Sequence, residues 1–171
     1  MIKNIVLLFV SAVILGCTHV YKPRPETFKM DEFTEFSSPI TIAVLNDQSD
    51  NVNHVHLDRG IGGGMSGNKN SWTDTAIEIV KRELVKRQAV IQNNASKKLA
   101  LSIFSIKASE TFWAIRYITK LRVKTGNGYE STFIGDNRSP ATGGRAADGA
   151  IMRAVSAMFR DPVIIKYISK K

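Results

Sequence analysis

The stretch Trp113-Ala-Ile-Arg-Tyr-Ile-Thr-Lys-Leu-Arg-Val-Lys-Thr-Gly-Asn-Gly-Tyr-Glu-Ser-Thr-Phe-Ile134 decides the fold. Successive side chains of a strand point to opposite faces. Trp113, Ile115, Tyr117, Leu121 and Val123 therefore share one face, and Arg116, Lys120, Arg122 and Lys124 share the other. This predicts a strand over 113–124. Gly126-Asn127-Gly128 reads as a hairpin turn that returns the chain as a second strand from Tyr129 to Ile134.

Both directions from this hairpin supply a layer to cover its apolar face. Upstream, Leu99, Leu101 and Ile103 alternate, then the apolar phase shifts to Phe104 and Ile106, as in a strand re-aimed by a bulge. Further upstream, Ser71-Trp-Thr-Asp74 has the spacing of a capping box, and Ala76, Ile77, Val80, Leu84 and Val85 follow at helical intervals. A helix over 72–87 is expected, with Glu78, Lys81, Arg82, Lys86 and Arg87 in solvent, then a short strand over 89–92. Ile40, Ile42 and Val44 interleaved with Thr41, Ala43 and Leu45 predict an apolar first strand. Residues 46–71, with Asn46-Asp-Gln-Ser-Asp-Asn51 and the glycines from Gly60 to Gly67, read as one long mobile loop.

Downstream, a loop from Asp136 to Gly144 leads to a helix over 145–160. Its apolar face is Ala147, Ala150, Ile151, Ala154, Val155, Met158 and Phe159, whose small residues allow close approach to a sheet. Asp161-Pro162 ends it, and a short turn over 163–169 is expected to dock Ile164, Ile165 and Ile168. The order predicts an α+β fold: a twisted, mainly antiparallel sheet of about four to five strands with two amphipathic helices on one face.

The N-terminus carries a different kind of signal. Lys3 precedes an uncharged run from Ile5 to Leu15 that stops at Gly16-Cys17, the layout of a signal peptide over residues 1–16. The run is shorter than the roughly 20 residues of a membrane-spanning helix. Ile14-Leu15-Gly16-Cys17 resembles the lipobox of bacterial lipoproteins, which implies cleavage before Cys17 and covalent lipid on it. Cys17 is the chain's one cysteine, so no internal disulfide competes for the thiol. Enterobacterial lipoproteins retained at the inner membrane usually have aspartate next. The Thr18 found here implies the outer membrane, with the domain facing the periplasm. From Thr18 to Ser38 the chain is polar, with Pro23 and Pro25, and reads as a flexible tether reaching about 70 Å extended or 25 Å coiled. Residues 17–38 are then the lipidated N-terminus and tether, and 39–171 a single domain.

Removing residues 1–16 takes away only Lys3, leaving 23 basic against 15 acidic residues, or +8. Outside the cytoplasm such a balance points to anionic envelope material (phospholipid head groups, lipopolysaccharide phosphates, peptidoglycan carboxylates) rather than nucleic acid. Arg116, Lys120, Arg122 and Lys124 are the candidate contact. Side chains two apart on a strand lie about 6.5–7 Å apart and could meet successive anionic groups. The other reading is a solvated sheet face or an edge guarded by charge.

Other motifs argue against catalysis. His54-Val-His56-Leu-Asp58 would present two imidazoles and a carboxylate to a metal if extended, but an exposed loop is the favoured reading. Gly62-Gly-Gly64-Met-Ser-Gly67 matches G-x-G-x-x-G literally, without the Lys-Ser/Thr that would complete a phosphate loop. Ser66 breaks the nucleophile-elbow pattern at its last place. No enzyme, small-molecule substrate, metal or cofactor beyond the lipid is expected.

Thr132-Phe-Ile-Gly-Asp-Asn-Arg-Ser-Pro140, Arg145-Ala-Ala-Asp-Gly-Ala-Ile-Met152, Asp161-Pro162 and Tyr167-Ile168, with the lipobox and the 72–88 segment, resemble in layout the YajG-type family of small Gram-negative lipoproteins. The resemblance implies an envelope lipoprotein and carries over only Cys17. The expected function is a non-enzymatic scaffold or binding module of an envelope protein complex. The alternative is an accessory or carrier protein contacting lipid or lipopolysaccharide in a transport system.

Overall fold

The computed structural model describes residues 18–26, 39–58 and 64–169. The elements in chain order are β1 (Thr18–Val20), β2 (Thr41–Asn46), β3 (Asn53–Asp58), β4 (Gly64–Asn68), α1 (Lys69–Lys86), β5 (Val90–Ile91), β6 (Lys97–Glu110), β7 (Ile115–Thr125), β8 (Glu130–Ser139), α2 (Gly143–Met158) and α3 (Pro162–Ser169). The fold is α+β. Five strands form the main sheet in the order β5-β2-β6-β7-β8, with β2 parallel to both its neighbours and β6, β7 and β8 antiparallel.

The alternation that predicted β7 is realised residue by residue. Ile115, Tyr117, Thr119, Leu121 and Val123 are buried, and Arg116, Ile118, Lys120, Arg122 and Lys124 are half-buried on the opposite side. The helices lie on the Tyr117 face, where Ile42, Val44, Leu99, Leu101, Ile103 and Phe133 join Trp72, Ile79, Leu84, Ile151 and Val155 in the core. The phase shift in β6 is a register slip between Ile103 and Ser105, which leaves Phe104 unpaired and exposed.

Contact between α2 and β8 depends on missing side chains. A Cβ on Gly135 would stand 1.8 Å from the Ala150 carbonyl oxygen, and one on Gly149 would strike Asn137. Asn137 instead donates from Nδ2 to the carbonyls of Arg145 and Ala146 at 3.1 and 3.3 Å. At the chain's end α3 buries Ile164 and Ile168, and the Tyr167 hydroxyl accepts from the amides of Lys98 and Gly126.

Several expectations change, among them the solvent position of Arg87, which is buried. The supposed loop 46–71 contains β3 and β4, which with β1 form a second sheet of order β1-β4-β3, and the first turn of α1. That helix is capped by Asn68, whose side chain accepts from the amides of Asn70 and Ser71, so it starts three residues before the expected Trp72. β8 runs on through Asp136 to Ser139, because the antiparallel register with β7 continues to Ile115. Trp113 is not in the strand: it sits in the turn before β7 and is 79% exposed.

Residues 18–26, read as part of the tether, are seated on the domain. β1 pairs in parallel with β4, and the Tyr21 amide donates to the Ser66 carbonyl at 2.7 Å. Pro23 is buried and its carbonyl accepts from Thr75 Oγ1 at 3.0 Å. The Tyr21 carbonyl accepts from Trp72 Nε1 at 3.4 Å, across Gly67, where a Cβ would lie 2.7 Å from that nitrogen. Residues 1–17, and with them Cys17 and the signal peptide, lie outside the described residues, as do 27–38.

Candidate functional site

Arg116, Lys120, Arg122 and Lys124 are brought together on the open face of the main sheet, on a strand flanked on both sides. The edge-guarding reading therefore fails, since the sheet's edges are β5 and β8. Cross-strand register explains what the cations do instead. Arg116 donates from Nε to Asp136 Oδ1 at 2.8 Å and from Nη2 to Oδ2, a fork-to-fork pair that holds Asp136 below the usual carboxylate range. Arg122 donates to Ser102 Oγ at 3.1 Å and lies 3.8 Å from Glu130. Lys124 reaches Asp47 at 3.0 Å and Glu130 at 4.0 Å. Lys120 alone of the four has no ion pair among the described residues. The row is thus largely neutralised by its own sheet, and at this exposure the pairs add little to stability.

The most built polar feature is one that periodicity did not single out. A cleft of about 510 Å³ opens at the start of α2, lined by Tyr21, Arg24, Met65, Ile115, Gly144 and Asp148 among others. Asp148 is buried, and its carboxylate accepts from the Tyr21 hydroxyl at 2.8 and 2.9 Å and from the Arg24 amide at 2.9 Å. Burial raises the carboxyl above its ordinary value against the opposing pull of those donors, and burial and the adjoining carboxylate push the Tyr21 hydroxyl up in turn. Among the described residues the Asp148 carboxylate bonds only to residues 21 and 24. Chemically the pair is a clasp holding the N-terminal segment to α2. A carboxylate on the buried stripe Ala146-Ala147-Asp148-Gly149-Ala150 was the signal that could have found it.

The histidines do not assemble a metal site. His54 Nε2 bonds to Asp50 at 2.8 Å, with Lys69 3.5 Å from the same carboxylate. His56, at the bulge between Val55 and Leu57, turns its ring edge onto Trp72 with centroids 5.2 Å apart and donates to the Gly67 carbonyl at 3.2 Å. Burial keeps its imidazole neutral down to about pH 4. Among the described residues no three His, Cys, Asp or Glu side chains are grouped to hold a metal ion. Gly64 to Gly67 of the glycine motif lie in strand β4, while Gly62 and Gly63 lie outside the described residues.

Compared with protein-family models and with curated proteins, the chain matches none. Among solved structures it is similar to the crystal structure of protein XCC0632 from Xanthomonas campestris, of the family described as DUF330, with a TM-score of 0.54. The two share 13% identity, over 89% of this chain and 96% of that one. At that identity the likeness is one of fold.

Proposed function

We propose that this chain is an outer-membrane lipoprotein of the YajG type, lipidated on Cys17, whose periplasm-facing domain is a non-enzymatic scaffold or binding module. The observation that carries the reading is Ile14-Leu15-Gly16-Cys17 at the end of an uncharged run, in a chain without a second cysteine. The non-enzymatic part is supported by how the buried acids are used: Asp148 clasps residues 21 and 24, and Glu83 pairs with Lys86 at 2.6 Å and Arg87 at 3.7 Å. Anionic envelope polymers and a protein complex are both suitable partners for the open sheet face, where Lys120 is the one of the four β7 cations without an ion pair among the described residues.

Replacing Cys17 by Ser tests the reading in cells. The variant should fold, escape lipidation and leave the membrane fraction. Protein that is still processed and still pellets with outer membranes after a high-salt wash would overturn lipid anchoring.

A further inference from the structure

The β6–β7 hairpin ends in a tight turn bearing the two most exposed large apolar side chains described, Phe112 at 88% and Trp113 at 79%. The turn is firmly closed. The Thr111 amide donates to the Ala114 carbonyl at 2.8 Å, Thr111 Oγ1 donates to the same oxygen at 2.9 Å, and the Ala114 amide donates back to Oγ1 at 3.2 Å. The two rings meet edge to face at 4.5 Å and 89°. The turn thus presents outward an aromatic pair that, among the described residues, is not packed into the core, whereas the second tryptophan, Trp72, is wholly buried.

Where this tip lies identifies its occupant. Trp113, Ile115 and Ala141 line one cleft, and Ile115 and Ala141 line the adjoining one together with His19 and Tyr21. The tip and β1 are therefore at the same end of the domain, and β1 begins at Thr18, the residue after Cys17. The clasp from Tyr21 to Asp148 fixes that entry point, so the acyl chains would hold this end, and not the far one, against the bilayer. Val20, also exposed, adds apolar surface here. Arg138 and Arg145 line the neighbouring cleft with Pro140, and Arg24 lines the Tyr21 cleft, so guanidinium groups lie at this end of the domain, with Glu110 and Glu26 among them. Aromatic rings with basic neighbours suit a bilayer interface.

We propose that the Phe112–Trp113 tip is a second membrane contact, inserted at the lipid interface beside the acylated N-terminus, so that the domain sits on the bilayer instead of standing off it. The inference rests on lipid attachment at Cys17. It also assigns the clasp a role: it orients the domain relative to its anchor.

The test uses the acylated full-length mature protein reconstituted into phosphatidylethanolamine and phosphatidylglycerol vesicles whose acyl chains carry bromine, a short-range quencher of indole fluorescence. Emission of the Trp113→Phe variant, which retains only buried Trp72, is subtracted to isolate Trp113. Quenching and a blue shift of Trp113, with Trp72 unaffected, are expected. Phe112→Ser with Trp113→Ser in unacylated Cys17→Ser protein should weaken vesicle binding roughly tenfold or more, with Trp72 emission reporting that the fold is unchanged. Protein that floats with the vesicles while Trp113 stays unquenched and open to an aqueous quencher overturns the inference and leaves lipid anchoring standing. Protein that does not float overturns the anchoring reading itself.

Discussion

Gly135→Ala asks whether the α2–β8 contact is as close as its geometry indicates. The added Cβ would lie 1.8 Å from the Ala150 carbonyl oxygen, 2.6 Å from the Ala154 amide nitrogen and 2.9 Å from the Ala150 carbonyl carbon. All three are helix backbone, so no rotamer change relieves the clash. To restore even a 3.0 Å approach, which real Cβ contacts rarely undercut, α2 must retreat by about 1.2 Å. A gap of 0.5–1 Å already forfeits roughly a quarter to a half of a dispersion contact. The loss would extend along the wholly buried Ala147, Ala150, Ile151, Ala154 and Val155.

Overpacking of this kind costs about 1–3 kcal/mol, and a backbone clash belongs at the upper end. Reduced freedom of the unfolded chain returns only about 0.4–1 kcal/mol. A net destabilisation of about 2–2.6 kcal/mol, at about 2–4 °C per kcal/mol for a domain of this size, lowers Tm by roughly 4–10 °C. Thermal unfolding of unacylated protein, followed by far-UV circular dichroism, measures it. Ile134→Ala, the next residue on the open face, is the control and should shift Tm far less. A Gly135→Ala protein that melts within about 2 °C of the parent would refute the close packing of α2 on β8.

Ala154→Glu should bury an unpaired charge on the same helix and cost several kcal/mol, visible as a large fall in denaturation midpoint; an unchanged midpoint would put this stripe in solvent. His56 titrates near 4 when folded and near 6.5 when unfolded, so its contribution is complete above 6.5 and lost as pH falls through 4. Asp148, with its carboxyl raised by burial, works in the opposite sense: its contribution is present below the ordinary carboxylate value and is lost as pH rises through its raised folded value. The difference between the parent and His56→Gln isolates the histidine: it should shrink from pH 7 to pH 4, and a constant difference would place His56 in solvent. Lys120→Glu with Arg122→Glu should leave the fold intact but reduce low-salt co-sedimentation with lipopolysaccharide or peptidoglycan; binding indifferent to both salt and charge reversal would remove this face from the functional account.

The parts of the fold legible in sequence are those where polarity and periodicity agree. β7 could be read because cations alternate with Ile115, Tyr117, Leu121 and Val123, and α2 because its small residues recur at helical spacing. Trp113 was misplaced because alternation registers only that a residue is apolar. Glu110-Thr-Phe-Trp contains no Gly, Pro or Asn to mark a turn, and the Thr111 hydroxyl closes it instead. β4 was illegible for the converse reason. Gly-Met-Ser-Gly-Asn has weak intrinsic strand preference, and it is held extended by β1 on one side and β3 on the other.

The N-terminal segment shows why candidate sites are harder to read than strands. Thr18 to Glu26 looks like spacer because it is polar and holds two prolines, yet each contact that seats it is made far along the chain: Ser66, Trp72, Thr75 and Asp148. No local window contains both partners. From the sequence, the four cations of β7 were the prominent surface feature; in three dimensions three of them are paired within their own sheet. The Tyr21–Asp148 clasp and the Phe112–Trp113 tip converge on one end of the domain through residues up to 127 positions apart. If Cys17 is acylated, a segment read as slack becomes a short, fixed link, and the question for function shifts from how far the domain reaches to which surface it is made to present.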